Sequence, residues 1–107
     1  MLFRSYVHVV EEKDFDAFIS EGLVAVDFYA NWCGPCRVFA PIVEKAAKQL
    51  QGVVKVGKLN VDSAGTVARE YKVKTIPTIV LFYNGEEIAR KVGRCSVEEL
   101  KAFLTQD

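Results

Sequence analysis

Residues 23–36 read Leu23-Val24-Ala25-Val26-Asp27-Phe28-Tyr29-Ala30-Asn31-Trp32-Cys33-Gly34-Pro35-Cys36. The stretch from Leu23 to Ala30 is apolar on both faces except at Asp27, which predicts a strand in the middle of a sheet covered on both sides. Proline fits the first turn of a helix, so a helix is expected to begin at Pro35. Between the two lies a pair of cysteines three apart. Cys33 then sits just ahead of a helix, near unpaired N–H groups and the positive end of its dipole. Both favour a thiolate, the reactive form of cysteine. Cys36 falls in the first turn, close enough to bond to Cys33 and better shielded. The pairing reads as a dithiol that cycles through a disulfide, with Cys33 as the exposed nucleophile and Cys36 as the resolving thiol.

Outward from this stretch, strand and helix signals alternate. Tyr6–Val10 is a short β-branched run. Phe15, Phe18 and Ile19 have helical spacing, with Gly22 expected as the C-terminal cap. After Pro35, residues Val38, Phe39, Ile42, Val43, Ala46, Ala47 and Leu50 form an apolar stripe, with Pro41 expected to kink the helix. Val53–Val61 reads as a strand. Ser63 is the expected cap of a short helix carrying Val67, Ala68 and Tyr71. Thr78–Tyr83 is a strand, Asn84-Gly85 a two-residue hairpin turn, and Glu87–Val92 the antiparallel return. Ser96 and Glu99 form a capping box before Val97, Leu100, Phe103 and Leu104. The expected order is β-α-β-α-β-α-β-β-α, an α/β fold with a mixed sheet and helices on both faces.

Composition narrows the function. The chain has 107 residues, 50% of them apolar, enough for one domain over 1–107 with a core that needs no staples. Fourteen basic and fourteen acidic residues cancel, so neither a nucleic-acid surface nor a polybasic membrane patch is expected. No long apolar stretch precedes a small-residue cleavage site near the start, and no segment approaches a membrane span, so a cytoplasmic location is expected. Three cysteines, an odd and sparse count, argue against a secreted disulfide scaffold. Cys33, Cys36, Cys95 and His8 could in number hold zinc, yet no second ligand pair has the right spacing. Neither metal nor bound cofactor is expected. Cys95 reads as a small residue at a helix start, with a regulatory or dimer-forming thiol as the alternative, and His8 reads as structural.

Val26-Asp27-Phe28, Trp32-Cys33-Gly34-Pro35-Cys36, Pro41, Lys58-Leu59-Asn60-Val61-Asp62, Ile76-Pro77-Thr78, Asn84-Gly85 and Val92-Gly93 together resemble the thioredoxin family over essentially the whole chain. The resemblance implies a five-stranded central mixed sheet flanked by four helices. It implies general protein-disulfide reduction, a part in cell redox homeostasis and electron donation to reductive enzymes. The implied partners are disulfide-containing targets and a thioredoxin reductase dependent on NADPH or ferredoxin; a monomer is expected.

The resemblance also assigns supporting residues. Asp27 would lie beneath Cys36 with a raised pKa and shuttle its proton; a structural carboxylate paired with a base is the alternative. Lys58 would be its partner, although strand periodicity alone makes it an edge lysine. The family carries a cis bond at Pro77, which would lie against the cysteines and free the Ile76 backbone for an extended peptide. Trp32, Gly34, Ile76, Pro77 and Gly93 would form a shallow apolar surface around Cys33. Tyr29 stands where many relatives carry Trp, and Asn31 where several polar residues occur. Two other functions fit the cysteine pair: thiol oxidation or disulfide isomerisation, and a binding scaffold that does not use the thiols. The Gly34-Pro35 link argues against oxidation.

Overall fold

A computed structural model describes residues 5–107; the opening residues read for a leader fall partly outside that range. Among the described residues there are five strands: β1 (His8–Val9), β2 (Leu23–Tyr29), β3 (Lys55–Asn60), β4 (Thr78–Tyr83) and β5 (Glu86–Val92). Four helices accompany them: α1 (Phe15–Ile19), α2 (Gly34–Gln49), α3 (Gly65–Glu70) and α4 (Val97–Thr105). The strand order is β1-β3-β2-β4-β5. The β1–β3 and β2–β3 pairs are parallel, while β2–β4 and β4–β5 are antiparallel. This is the mixed five-stranded sheet with four helices that the sequence led us to expect.

Strand alternation sorts the core into two halves. Ala25, Val56, Ile79 and Leu81 pack with Phe39, Val43, Ala46, Leu100 and Leu104 of α2 and α4. Val24, Val26, Phe28, Leu59, Val80 and Phe82 pack with Phe15, Ile19, Val67 and Ala68 of α1 and α3. Because β2 lies between β3 and β4, its residues 24–28 are all buried. Asp27 thus leaves the sheet on the α2 side, two residues from Ala25.

Several boundaries differ from expectation. The first strand pairs only at His8 and Val9, opposite Gly57 and Lys58. The third is Lys55–Asn60, shorter than 53–61. Gly22 has positive φ, but α1 has already ended, and Ser20 is its C-cap. Ser63 does not cap α3; its hydroxyl donates to the Asn60 carbonyl. Glu12, more than fifty residues away, accepts from the N–H groups of Thr66 and Val67 through Oε1. Val38 is 53% exposed, because it points away from the face that buries Phe39 and Val43. The helix α2 carries Pro41 inside its span. The Asn84-Gly85 turn has positive φ at both residues, as a tight hairpin requires, and the Ser96–Glu99 capping box is complete. Among the described residues no helix is long and apolar enough to cross a membrane.

Candidate functional site: a disulfide at the start of α2

The strand β2 ends at Tyr29, and the chain turns through Ala30 to Trp32 before α2 begins. Cys33 is the N-cap residue, with extended φ and ψ, and Pro35 follows in the first turn. The Cys36 N–H donates to Cys33 Sγ at 3.2 Å. A sulfur therefore does what a serine or aspartate oxygen usually does at this position: it takes up an orphan donor of the first turn. A charged acceptor gains more from such a donor than a neutral one, so the same N–H favours a thiolate on Cys33. The two cysteines are joined as a disulfide, with Cα atoms 5.2 Å apart.

Exposure does not separate the pair as expected. Cys33 and Cys36 are each only 4% exposed, both packed with Ala30 and flanked by Tyr29, Val61 and Ile76. The asymmetry lies in their partners. Cys33 accepts the helix N–H and lies 3.9 Å from the Ile76 carbonyl oxygen. Cys36 instead opens onto a cavity of about 170 Å³ that it lines with Asp27, Tyr29, Ala40 and Lys58.

Asp27 is 5% exposed, and its Oδ1 has no hydrogen-bond partner among the described residues. Burial pushes its carboxyl from an ordinary 3.8 up to about 7, with the Lys58 charge pulling the other way. An acid with that value can both take and give a proton near neutral pH. Lys58 faces Asp27 directly across the β2–β3 pair. It is half-buried and forms no contact ion pair with Asp27 among the described residues. The closed pairing of two buried charges is thus replaced by action through space, and the ammonium lies 5.5 Å from the centre of the Tyr29 ring.

The bond between Ile76 and Pro77 is cis. Thr78 follows, its hydroxyl donating to the Thr75 carbonyl at 2.5 Å. Gly93 sits beside Pro77, its N–H donating to the Pro77 carbonyl at 2.8 Å. Its φ of +85° explains the glycine; a Cβ there would meet nothing within 4 Å. Gly34 also has open space around it. Trp32 is 68% exposed, and its indole Nε1 donates to Asp62 Oδ2 at 2.9 Å. Cys33, Ile76, Pro77 and Gly93 are thus brought together, with Trp32 and Gly34 beside Cys33 in the chain; Pro77 is itself buried, so it supports the expected surface from beneath. Exposed Val92 adjoins Gly93.

Three participants escaped the sequence reading: Asp62 as the anchor of Trp32, Arg37 donating to the Asn31 carbonyl at 3.1 Å, and the Tyr29 ring over Lys58. None follows from local patterning, although Asp62 lay inside a motif already singled out. Cys95 is half-buried against the α2–α4 core. Burial, chiefly, pushes its thiol up, Lys91 opposes the shift, and Glu99 adds to it; such a thiol stays protonated at neutral pH. Among the described residues no three His, Cys, Asp or Glu side chains converge as a metal site.

The comparisons with known proteins agree with this geometry. The Thioredoxin family model matches residues 6–106. Thioredoxin of Chlamydia pneumoniae is 48% identical over 99 residues, 92% of each chain. Thioredoxin of Pseudomonas aeruginosa is 42% identical over 101 residues, covering 91% of this chain and 94% of that protein. The crystal structure of Malassezia sympodialis thioredoxin superposes with a TM-score of 0.85 at 33% identity, over 99% of this chain and 94% of that one. Likeness over nearly the whole length, in sequence and in fold alike, shows that the chain belongs to the thioredoxin family of disulfide oxidoreductases, with Cys33 and Cys36 as its redox centre.

Proposed function

We propose that the chain reduces protein disulfides, with Cys33 attacking and Cys36 resolving. The observation that carries this order is the Cys36 N–H held on Cys33 Sγ at the start of α2. In the reduced protein the Cys33 thiolate attacks one sulfur of a target disulfide. A Cys33–target disulfide forms, and the other target sulfur leaves as a thiolate that takes a proton from solvent. Asp27 then accepts the Cys36 proton, and the Cys36 thiolate attacks Cys33 Sγ. The Cys33–Cys36 disulfide forms and the second target sulfur leaves. Two electrons pass from the dithiol to the target.

The cavity shared by Cys36 and Asp27 supports the proton transfer, and Lys58 across the strand pair favours the charged carboxylate. Trp32, Gly34, Ile76, Pro77 and Gly93 receive the target, an extended segment pairing with the Ile76 backbone, while Pro35 stiffens the helical turn between the thiols. A reductase drawing on NADPH or ferredoxin returns the electrons. The working form is a monomer in the cytoplasm, a location supported by the odd, sparse cysteine count.

Insulin disulfide reduction, followed by turbidity, tests the reading. Cys33→Ser abolishes it. Cys36→Ser performs one attack and accumulates mixed disulfides, visible by mass spectrometry; repeated turnover by that variant would remove the resolving role. Asp27→Asn slows reduction near neutral pH, and an unchanged rate across pH would remove Asp27 from the mechanism.

A further inference from the structure

Asp27 and Tyr29 are two apart on β2, so both side chains leave the α2 face of the sheet. Lys58 leaves the same face from β3. Its ammonium stands 5.5 Å from the Tyr29 ring centre, within range of the attraction between a cation and a ring face. All three line the cavity that also holds Cys36. The titratable and charged groups around this cavity are Asp27 and Tyr29 of β2, Lys58 of β3, and Cys36 and Arg37 of α2. From β4 the register partner of Asp27 is the apolar Ile79. A lysine ammonium is strongly hydrated and sits on a flexible stem. A half-buried one with no contact ion pair drifts to solvent unless something holds it, and the ring is what lies against it.

We propose that Tyr29 is a positioning residue for the exchange reaction: its ring face keeps the Lys58 ammonium at the mouth of the cavity and thereby sets how readily Asp27 accepts the Cys36 proton. The proposal rests on the proton-acceptor role given to Asp27 above. The proton passes from Cys36 Sγ to the Asp27 carboxylate, and Tyr29 and Lys58 neither gain nor lose one. The phenol itself is pushed up, first by burial and then by Asp27, so it stays neutral through the step. With the ring gone the ammonium moves outward. Asp27 then keeps its proton to higher pH, and fewer molecules carry an acceptor at neutral pH.

The test is a carbon-13 titration of the Asp27 carboxyl in the oxidised full-length protein, read without turnover. Tyr29→Phe keeps the ring and titrates like the wild type. Tyr29→Leu moves the midpoint up by about half a pH unit, the scale of a partly exposed cation–ring contact. Lys58→Met moves it up further, and adding Tyr29→Leu to Lys58→Met changes nothing more. Tyr29→Met replaces the leucine variant if the amide spectrum shows that the latter is unfolded. An unchanged or lowered midpoint in the ring-less variant overturns the proposal. So does the same shift with and without Lys58, or a shift in Tyr29→Phe. Failure of the Asp27 role is seen separately: Asp27→Asn would reduce insulin at the wild-type rate while these titrations came out as described.

Discussion

A carboxylate with an unpartnered oxygen in the sheet interior costs stability, and Asp27 shows when. Below about pH 3.8 it is protonated in both folded and unfolded chains and carries no penalty. As pH rises from 3.8 towards 7 the unfolded chain releases that proton while the folded one holds it, so stability falls. Above pH 7 the loss levels off, on the order of 4 kcal/mol if the whole shift is expressed. Asp27→Asn is therefore expected to be more stable than the wild type at pH 8 and nearly equal to it at pH 4, measured by urea unfolding. A constant difference across that range would contradict the assignment. Gly57 poses the opposite problem. A Cβ there would stand 2.7 Å from both the Phe18 ring and Val10 Cγ2. Gly57→Ala should cost roughly 1–3 kcal/mol by overpacking, read in the same assay. The Asp27 environment was legible because one acid interrupts an apolar run. The Gly57 contact was not, since it depends on how α1 lies over β3.

At the scale of elements, local signals worked where the partner is close in sequence. Asn84-Gly85 and Ser96–Glu99 each bond within a few residues, so pattern alone identified them. Failure came at α3, where Ser63 has the right chemistry and stands two residues before the helix. There the Glu12 carboxylate fills the capping role from across the chain. Glu12→Ala is expected to lose about 1 kcal/mol, as other cap deletions do. Ser63→Ala should stay within about 0.5 kcal/mol of the wild type. Equal effects in the two variants would refute the long-range cap. The same distinction governs the site. Cys33, Cys36 and Pro35 were readable from their spacing, whereas Pro77 and Gly93 needed a family resemblance. The roles of Asp62 and the equal covering of both cysteines arise only in the folded chain.

At the scale of the molecule, strand order sets a gradient of protection. The strands β2 and β4 sit inside the sheet, with residues 24–28 and 78–82 buried. Amides of Val24, Val26, Val80 and Phe82 should exchange with deuterium only through global unfolding, while those of β1 and the outer side of β5 exchange sooner. Early exchange at Val26 or Val80 would show that the two halves of the core open separately.

The strand β5 lies at one edge of the sheet, and its pairing with β4 slips between Leu81 and Phe82. It carries Glu86, Glu87, Arg90 and Lys91, with Arg90 and Glu87 joined at 2.6 Å. A foreign strand approaching this edge meets opposed charges and a broken register, where a flat apolar edge would offer it a template. The consequence is colloidal: on this flank the protein is guarded against being copied into an aggregate by other chains.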